Sequence, residues 1–215
     1  MALVLALDTT HEFGSLALVR DGEVLEEELL HEPTGFSGIL YDGIEGLLAR
    51  HDVAIAAIDC FAAASGPGSF TGVRVGLACI KGLAEALGKL AVGVSNLEAL
   101  ARFGGAGLRA VVADARRGEI YGAVYDSSGA LVSPEVVADF DAWVKTLPPG
   151  VTEFISTDCT PALPEGATLV AAPRAIAAAI ARIAAERLAR GGAGDPAAVD
   201  ANYVRRSDAE LFWKQ

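Results

Sequence analysis

Cysteine is scarce in this chain of 215 residues, which contains only Cys60, Cys79 and Cys159. The three are far apart and form no Cys-x-x-Cys pair, so the sequence offers neither a disulfide framework nor a thiolate zinc site. We interpret them as buried thiols of a protein kept in a reducing compartment, which predicts a cytoplasmic location. Because a chain of this length buries roughly 70% of its unfolded surface, it needs no covalent staples.

Long apolar runs and an excess of basic residues are lacking too. No run approaches the roughly 18 uncharged residues of a membrane helix. Residues 1–7 lack the basic region and cleavage site of a signal peptide, so we expect no membrane partner. The 17 basic residues are outnumbered by 28 acidic ones, which gives a net charge of −11. Strong, direct binding of nucleic acid usually needs a basic face, so it is not expected here.

Catalytic signatures are missing as well. His11, His31 and His51 show no His-x-x-x-His spacing, so we expect no metal site. The segment Gly-Pro-Gly-Ser-Phe-Thr-Gly at residues 66–72 is not a Gly-x-Ser-x-Gly nucleophile elbow. No histidine lies near a serine and an acid in a recognisable triad order, which disfavours a serine hydrolase.

What the chain does have is a glycine-rich loop, residues 65–72, between an apolar strand and a long helical pattern. Gly66 and Gly68 permit positive φ and close backbone approach, while Ser69 or Thr71 can cap the helix. Such a loop aims backbone N–H groups at one point, which suits a phosphate. The alternative, which we favour, is a tight strand-to-helix turn packed against a neighbour; the loop matches neither Gly-x-Gly-x-x-Gly nor a Walker A sequence.

One strand pattern occurs twice, about half a chain apart. Residues 3–7 form an apolar strand that ends at Asp8, and residues 109–113 form one that ends at Asp114. Each strand is followed by a loop and a hairpin. Two such units suggest an internally duplicated α/β fold.

The best internal boundary is the segment 103–107, which contains three glycines. We therefore divide the chain into an N-terminal lobe, residues 1–104, and a C-terminal lobe, residues 105–215.

The ends of the two equivalent strands are the candidate cleft. In a duplicated α/β fold they face each other across a crevice, where Asp8 and Asp114 can hold Mg²⁺ against a nucleotide's phosphates. The alternative, slightly favoured, is that each aspartate caps its own loop. Arg116 and Arg117 can bind an anion or a partner's carboxylate, although a solvated surface is the commoner fate of such a pair. The candidate residues are Asp8, Thr9, Thr10, Gly66, Gly68, Ser69, Thr71, Asp114, Arg116 and Arg117.

Several segments strongly resemble the bacterial TsaB (YeaZ) family. They are residues 5–10, 66–76, 81–84, 114–121 and 203–205, and they span most of the chain in the family's order. The resemblance implies an α/β fold of the actin/Hsp70/sugar-kinase type. It implies two duplicated lobes of the βββαβα type, the second of them reduced.

The resemblance also implies a function. The family supplies the non-catalytic dimerisation subunit for synthesis of N6-threonylcarbamoyladenosine (t6A) in tRNA. It pairs with a catalytic TsaD-type homologue, recruits with it a TsaE-type P-loop ATPase, and forms homodimers in isolation. We expect tRNA to be contacted only indirectly, and no cofactor on the isolated chain, because ATP and metal are bound by the partner subunits.

Two helical segments with small residues, 37–51 and 72–87, are expected to meet the partner. The second is so apolar that it is either central to the fold or part of a subunit contact. The candidate interface residues are Leu40, Ile44, Leu47, Gly72, Val73, Gly76, Leu77 and Ile80. The rival interpretation is a stand-alone Mg²⁺-dependent ATPase or phosphotransferase that uses Asp8 and Asp114, and a peptidase is a third, weaker one.

Overall fold

A computed structural model describes residues 2–192 and 194–205 of the chain. The chain divides into two compact units. The first unit contains the residues up to Ala99 together with Pro173–Ala201. The second contains Leu100–Ala172 together with residues 202–205.

Within the described residues, ten strands form two five-stranded sheets. They are β1 Leu3–Asp8, β2 Phe13–Arg20, β3 Glu23–His31, β4 Cys60–Ala64, β5 Leu90–Val94, β6 Leu108–Asp114, β7 Ile120–Asp126, β8 Leu131–Ala138, β9 Glu153–Ser156 and β10 Thr168–Ala171. The first sheet has the order β3-β2-β1-β4-β5, and the second has the order β8-β7-β6-β9-β10. In each, an antiparallel three-strand meander is extended by two parallel strands. This repeated order is the duplication that the strand pattern predicts.

Five α-helices accompany the sheets in the part of the chain that the structure describes. They are α1 Leu40–Arg50, α2 Phe70–Leu87, α3 Asn96–Ala101, α4 Phe140–Val144 and α5 Ala177–Ala189. The longest, α2, begins after Ser69, whose Oγ accepts a hydrogen bond from Gly72 N, and ends at the left-handed Gly88. None of the helices in the described part of the chain is long and apolar enough to cross a membrane.

The first sheet is covered by helices on both faces. Leu5 and Leu7 of β1 belong to the same core cluster as residues of α1 and α2. Because side chains alternate along a strand, the buried Val4 and Ala6 point to the opposite face. There α5 packs on β1, β2 and β4. This two-sided burial is why β1 reads as a continuous apolar run.

Helix α5 therefore belongs to the first unit, although the division at residue 104 placed it in the C-terminal lobe. Its buried residues, among them Ile180 and Ile183, cover the first sheet. Its first turn is also tied to β2, because Ser15 Oγ accepts hydrogen bonds from the N–H groups of Ile176 and Ala177 at 3.1 and 3.0 Å. The chain first passes between the units at Ala99–Leu100, a few residues before the predicted boundary segment 103–107.

The second unit has a smaller core. Val112, Val124 and Phe154 pack with Trp143 of α4. A Cβ at Gly122 of β7 would lie 2.7 Å from Trp143, so only glycine fits beneath the indole. Between β9 and β10 the structure has a loop where the first unit has α2. The second unit is thus the reduced copy.

Candidate functional site

Asp8 ends β1 and caps its own loop. Its Oδ1 accepts hydrogen bonds from Thr10 N at 2.8 Å and from Thr10 Oγ1 at 2.7 Å. Both residues are buried. The structure therefore contains the loop cap, which is the alternative that the sequence slightly favoured for Asp8. Thr9 Oγ1 and the backbone carbonyl of Thr10 face the glycine-rich loop.

The glycine-rich loop packs directly on this first loop. Ser69 N donates to Thr10 O at 2.7 Å, and Thr9 Oγ1 donates to Gly72 O at 2.7 Å. A Cβ at Gly68 would lie 2.7 Å from Thr10 Cβ, and one at Gly72 would lie 2.0 Å from Thr9 O. The loop is thus the tight strand-to-helix turn packed against a neighbour, and the N–H of Ser69 is bonded inside the molecule instead of pointing at an anion.

Asn96, the first residue of α3, fastens both loops together. Its Oδ1 accepts from Gly66 N at 3.0 Å, and its Nδ2 donates to Thr10 Oγ1 at 2.8 Å. The side chain is 2% exposed. No local sequence pattern reveals this role of Asn96, because its partners lie 30 and 86 residues away along the chain.

Replacing Asn96 by leucine is expected to lower the free energy of unfolding by about 2 kcal/mol, since two hydrogen bonds with buried groups are lost. Urea unfolding followed by circular dichroism measures the change. The comparison variant is Asn202→Leu: Asn202 is only partly buried and its Nδ2 donates to Glu135 Oε2 within the other unit, so we expect a smaller loss there. Equal losses in the two variants would contradict the linking role of Asn96.

Asp114 ends β6 and repeats the same turn in the second unit. Its Oδ1 accepts from Arg116 N at 2.8 Å, as the Oδ1 of Asp8 accepts from Thr10 N. Arg116 Nη1 lies 3.5 Å from Asp114 Oδ2, and the Arg116 side chain is 83% exposed. Both aspartates therefore cap their own loops. Their meeting across one crevice stays a prediction, as does a role for the neighbouring Arg117.

Metal-ligating side chains do not cluster within residues 2–192 and 194–205. No group of three or more histidine, cysteine, aspartate or glutamate residues there could hold a metal ion. Of the histidines, His51 bonds Glu26 at 2.7 Å and His31 stacks on Phe13 with 4.2 Å between ring centroids.

The eight residues predicted to meet a partner face inward, so this prediction is wrong at the level of residues. Their six apolar side chains are 0–6% exposed and form the core of the first unit; these are Leu40, Ile44, Leu47, Val73, Leu77 and Ile80. The two glycines, Gly72 and Gly76, face the first loop, where a Cβ would lie 2.0 and 2.7 Å from atoms of Thr9. The apolar stripe of each helix packs on the sheet, which leaves the opposite stripe for solvent.

The opposite stripe carries exposed aromatic and small residues. Tyr41 of α1 is 58% exposed and Phe70 of α2 is 43% exposed. The Arg74 guanidinium lies 3.7 Å from the centroid of the Phe70 ring. Ala78 and Gly82 follow at one-turn spacing and are also exposed. We refer to these five residues as the outer face.

The three thiols are poor nucleophiles. Burial raises the pKa of Cys60 to about 12 and the pKa values of Cys79 and Cys159 to about 11. Cys60 and Cys79 are buried, as the sequence predicts, whereas Cys159 is only half-buried.

The native protein is therefore expected to react negligibly with a disulfide reagent such as DTNB at pH 8, because the thiolate is the reacting form. In denaturant, all three thiols should react within minutes, which provides the internal control. A fast-reacting thiol in the native protein would contradict the pKa assignment, and Cys159→Ser would identify it.

Comparison with known sequences gives a consistent set of relatives. The family described as "TsaD: tRNA N6-adenosine threonylcarbamoyltransferase" matches residues 35–189. The tRNA threonylcarbamoyladenosine biosynthesis protein TsaB of Bacillus subtilis is 35% identical over 63% of this chain and 60% of its own. TsaB of Escherichia coli is 34% identical over 62% of this chain and 64% of its own. The chain thus covers less than two thirds of either relative.

Solved structures match over nearly the whole chain. YeaZ from Pseudomonas aeruginosa superposes with a TM-score of 0.80 at 30% sequence identity, over 94% of this chain and 100% of that chain. A second Pseudomonas aeruginosa structure, described as similar to the peptidase YeaZ, gives a TM-score of 0.81 at 30% identity over 95% of this chain and 100% of its own. These matches confirm the duplicated fold and the family resemblance expected from the sequence.

Proposed function

The chain belongs to the TsaB (YeaZ) family, and on this premise we propose that it is a non-catalytic subunit of the cytoplasmic machinery that makes t6A in tRNA. The Bacillus subtilis and Escherichia coli relatives are named biosynthesis proteins of this modification. In this proposal the chain pairs with a catalytic TsaD-type homologue, and the pair recruits a TsaE-type P-loop ATPase. The net charge of −11 supports leaving tRNA binding to the partners.

The non-catalytic role is supported by how the first unit uses its polar groups. A phosphotransferase would turn the carboxylate of Asp8 and the amides of the glycine-rich loop towards a nucleotide. Here Asp8 Oδ1 is bonded twice by Thr10, and Ser69 N is bonded to Thr10 O. These groups hold two loops together, which suits a rigid scaffold better than a catalytic centre.

The outer face is the single observation that carries the proposal. Exposed aromatic side chains are enriched in protein interfaces, and small residues such as Ala78 and Gly82 let a partner helix approach closely. We propose that the TsaD-type homologue packs its own helices on this face. A second copy of the chain uses the same face when the homologue is absent, so homodimer and heterodimer compete.

The experiment that tests this proposal is Ala78→Glu. A glutamate in the centre of the outer face would add bulk where a partner helix must approach closely, and it would add a charge that has to be desolvated even beside Arg74, so we expect at least about a hundredfold weaker binding of the homologue and a monomeric chain. Isothermal titration with the purified homologue and light scattering on the isolated chain measure both effects.

The matched control is Ala189→Glu, since Ala189 is an exposed alanine near the end of α5. It introduces the same charge on another helix and should leave both associations unchanged. Wild-type affinity in Ala78→Glu would show that the interface lies elsewhere.

The purified chain alone is expected neither to hydrolyse ATP nor to retain tRNA at about 0.15 M salt. A malachite-green phosphate assay and filter binding measure the two activities. ATP hydrolysis that is lost in Asp8→Asn would favour the rival phosphotransferase over the scaffold.

A further inference from the structure

The tip of the β6–β7 hairpin, residues 116–118, is built from residues that its backbone disfavours. Arg116, Arg117 and Gly118 have φ values of 64°, 61° and 78°. Glu119 N donates to Arg116 O at 3.1 Å, and Ala115 N donates to Glu119 O at 3.0 Å, which closes the turn. Left-handed backbone suits glycine or asparagine, and a hairpin of this kind usually carries Asn-Gly. Two consecutive arginines are therefore held there at a cost to stability.

The duplication shows what the equivalent position does in the first unit. Thr10 and Arg116 each donate their backbone N–H to the aspartate that ends the central strand of their sheet. Thr10 is a docking position: Ser69 N bonds its carbonyl and Asn96 Nδ2 bonds its hydroxyl. Both partners of Thr10 come from the part of the first unit that follows β4.

In the second unit the backbone carbonyl at this position accepts a hydrogen bond from within its own turn, Glu119 N, and the segment after β9 bonds only the strand end, where Asp158 accepts from Asp114 N at 3.2 Å. The segment that follows β9, residues 157–167, is a loop, and no helix is described there. The Arg116 side chain is 83% exposed, with Asp114 Oδ2 at 3.5 Å as a neighbour that orients its guanidinium. In the first unit this position thus contacts another element of the same chain. In the second unit it presents a charged side chain to solvent.

We infer that the 116–118 tip is a docking element for a protein partner that presents a carboxylate to Arg116 and Arg117. The planar fork of arginine matches a carboxylate through two hydrogen bonds. The net charge of −11 makes the chain as a whole repel the dense phosphates of RNA. A single carboxylate in contact with the two arginines lies well within the Debye length of about 8 Å, so salt does not screen its attraction to them. The inference rests on the proposed function, because the partner is a protein subunit of the same assembly.

The test uses Arg116→Asn and Arg117→Asn in the full chain. Asparagine accepts left-handed backbone, so the melting temperature should stay the same or rise. Affinity for the purified TsaD-type homologue, measured with and without the P-loop ATPase, should fall at least about tenfold. Arg190→Asn is the control, because Arg190 is an exposed arginine whose φ is negative. The substitution removes the same charge at a position outside the tip.

Carbodiimide crosslinking of the Arg116→Lys variant identifies the occupant directly. An amide between position 116 and an aspartate or glutamate of either partner protein is the expected product. Wild-type binding that is unaffected by both asparagine variants would overturn the inference and leave the proposed function intact. If the wild-type chain did not bind the homologue at all, both the inference and the proposed function would be wrong. If the tip were found to contact only tRNA, the arginines would bind a phosphate, and the inferred carboxylate contact would be wrong.

Discussion

Gly72→Ala is expected to destabilise the first unit by about 3 kcal/mol. A Cβ at this position would lie 2.0 Å from the carbonyl oxygen of Thr9, which is backbone and has no rotamer to escape into. Relief requires α2 to move away from the first loop. That movement would stretch the hydrogen bond from Thr9 Oγ1 to Gly72 O.

The same helix contains the control. A Cβ at Gly82 would meet no atom within 4 Å, so Gly82→Ala should raise stability by up to about 1 kcal/mol through helix propensity alone. Urea unfolding followed by far-ultraviolet circular dichroism compares the two variants. Similar values for both would mean that the glycine-rich loop does not need its close approach to Thr9.

Ser15→Ala is expected to cost about 2–4 kcal/mol, because one hydroxyl serves two helix donors. Ser15 is fully buried in β2, and its Oγ accepts from Ile176 N and Ala177 N, more than 160 residues along the chain. Without that oxygen the N–H groups of Ile176 and Ala177 lose their acceptor, and only the bond from Ala178 N to Glu27 Oε1 still holds the first turn of α5 to the sheet.

Hydrogen exchange across α5 measures this effect more specifically than global unfolding does. We expect the amides of α5 to exchange faster in Ser15→Ala and to recover protection in Ser15→Thr, which keeps the hydroxyl. Unchanged exchange of α5 in the alanine variant would contradict the capping role of Ser15.

Local patterns predicted most of the architecture. The apolar run before Asp8 and its repeat before Asp114 predicted the central strands of both sheets. The hairpin expected after the first strand is the β2–β3 hairpin, whose turn residues Asp21 and Gly22 have φ values of 53° and 84°. These features are predictable because a strand's alternation and a turn's residue types are each determined by a few consecutive residues.

The faces of the helices were not predictable in the same way. The spacing of Val73, Leu77 and Ile80 indicates an apolar stripe, but it does not say whether a sheet or a partner covers that stripe. The structure places the sheet beneath it. The exposed stripe with Phe70 and Ala78 then became recognisable only by its accessibility.

The remaining features depend on distant partners. Asp8 and Thr10 could be chosen from the sequence, since a carboxylate at a strand end commonly caps the loop after it. Asn96 could not, and neither could the place of α5, because their contacts join segments that the chain order separates. A single sequence contains no signal for such pairings.

Because α5 lies late in the sequence, the strands of the first sheet are synthesised long before the helix that covers one of its faces. The first sheet is complete at Val94, but the helix that covers Val4 and Ala6 emerges only after Ala172, when the whole β6–β10 sheet has been translated. Until then a nascent chain carries a sheet with one bare apolar face, which is the kind of surface that aggregates or recruits chaperones. A ribosome stalled before Pro173 would therefore hold an aggregation-prone polypeptide, and the first sheet is protected on both faces only once α5 has left the exit tunnel.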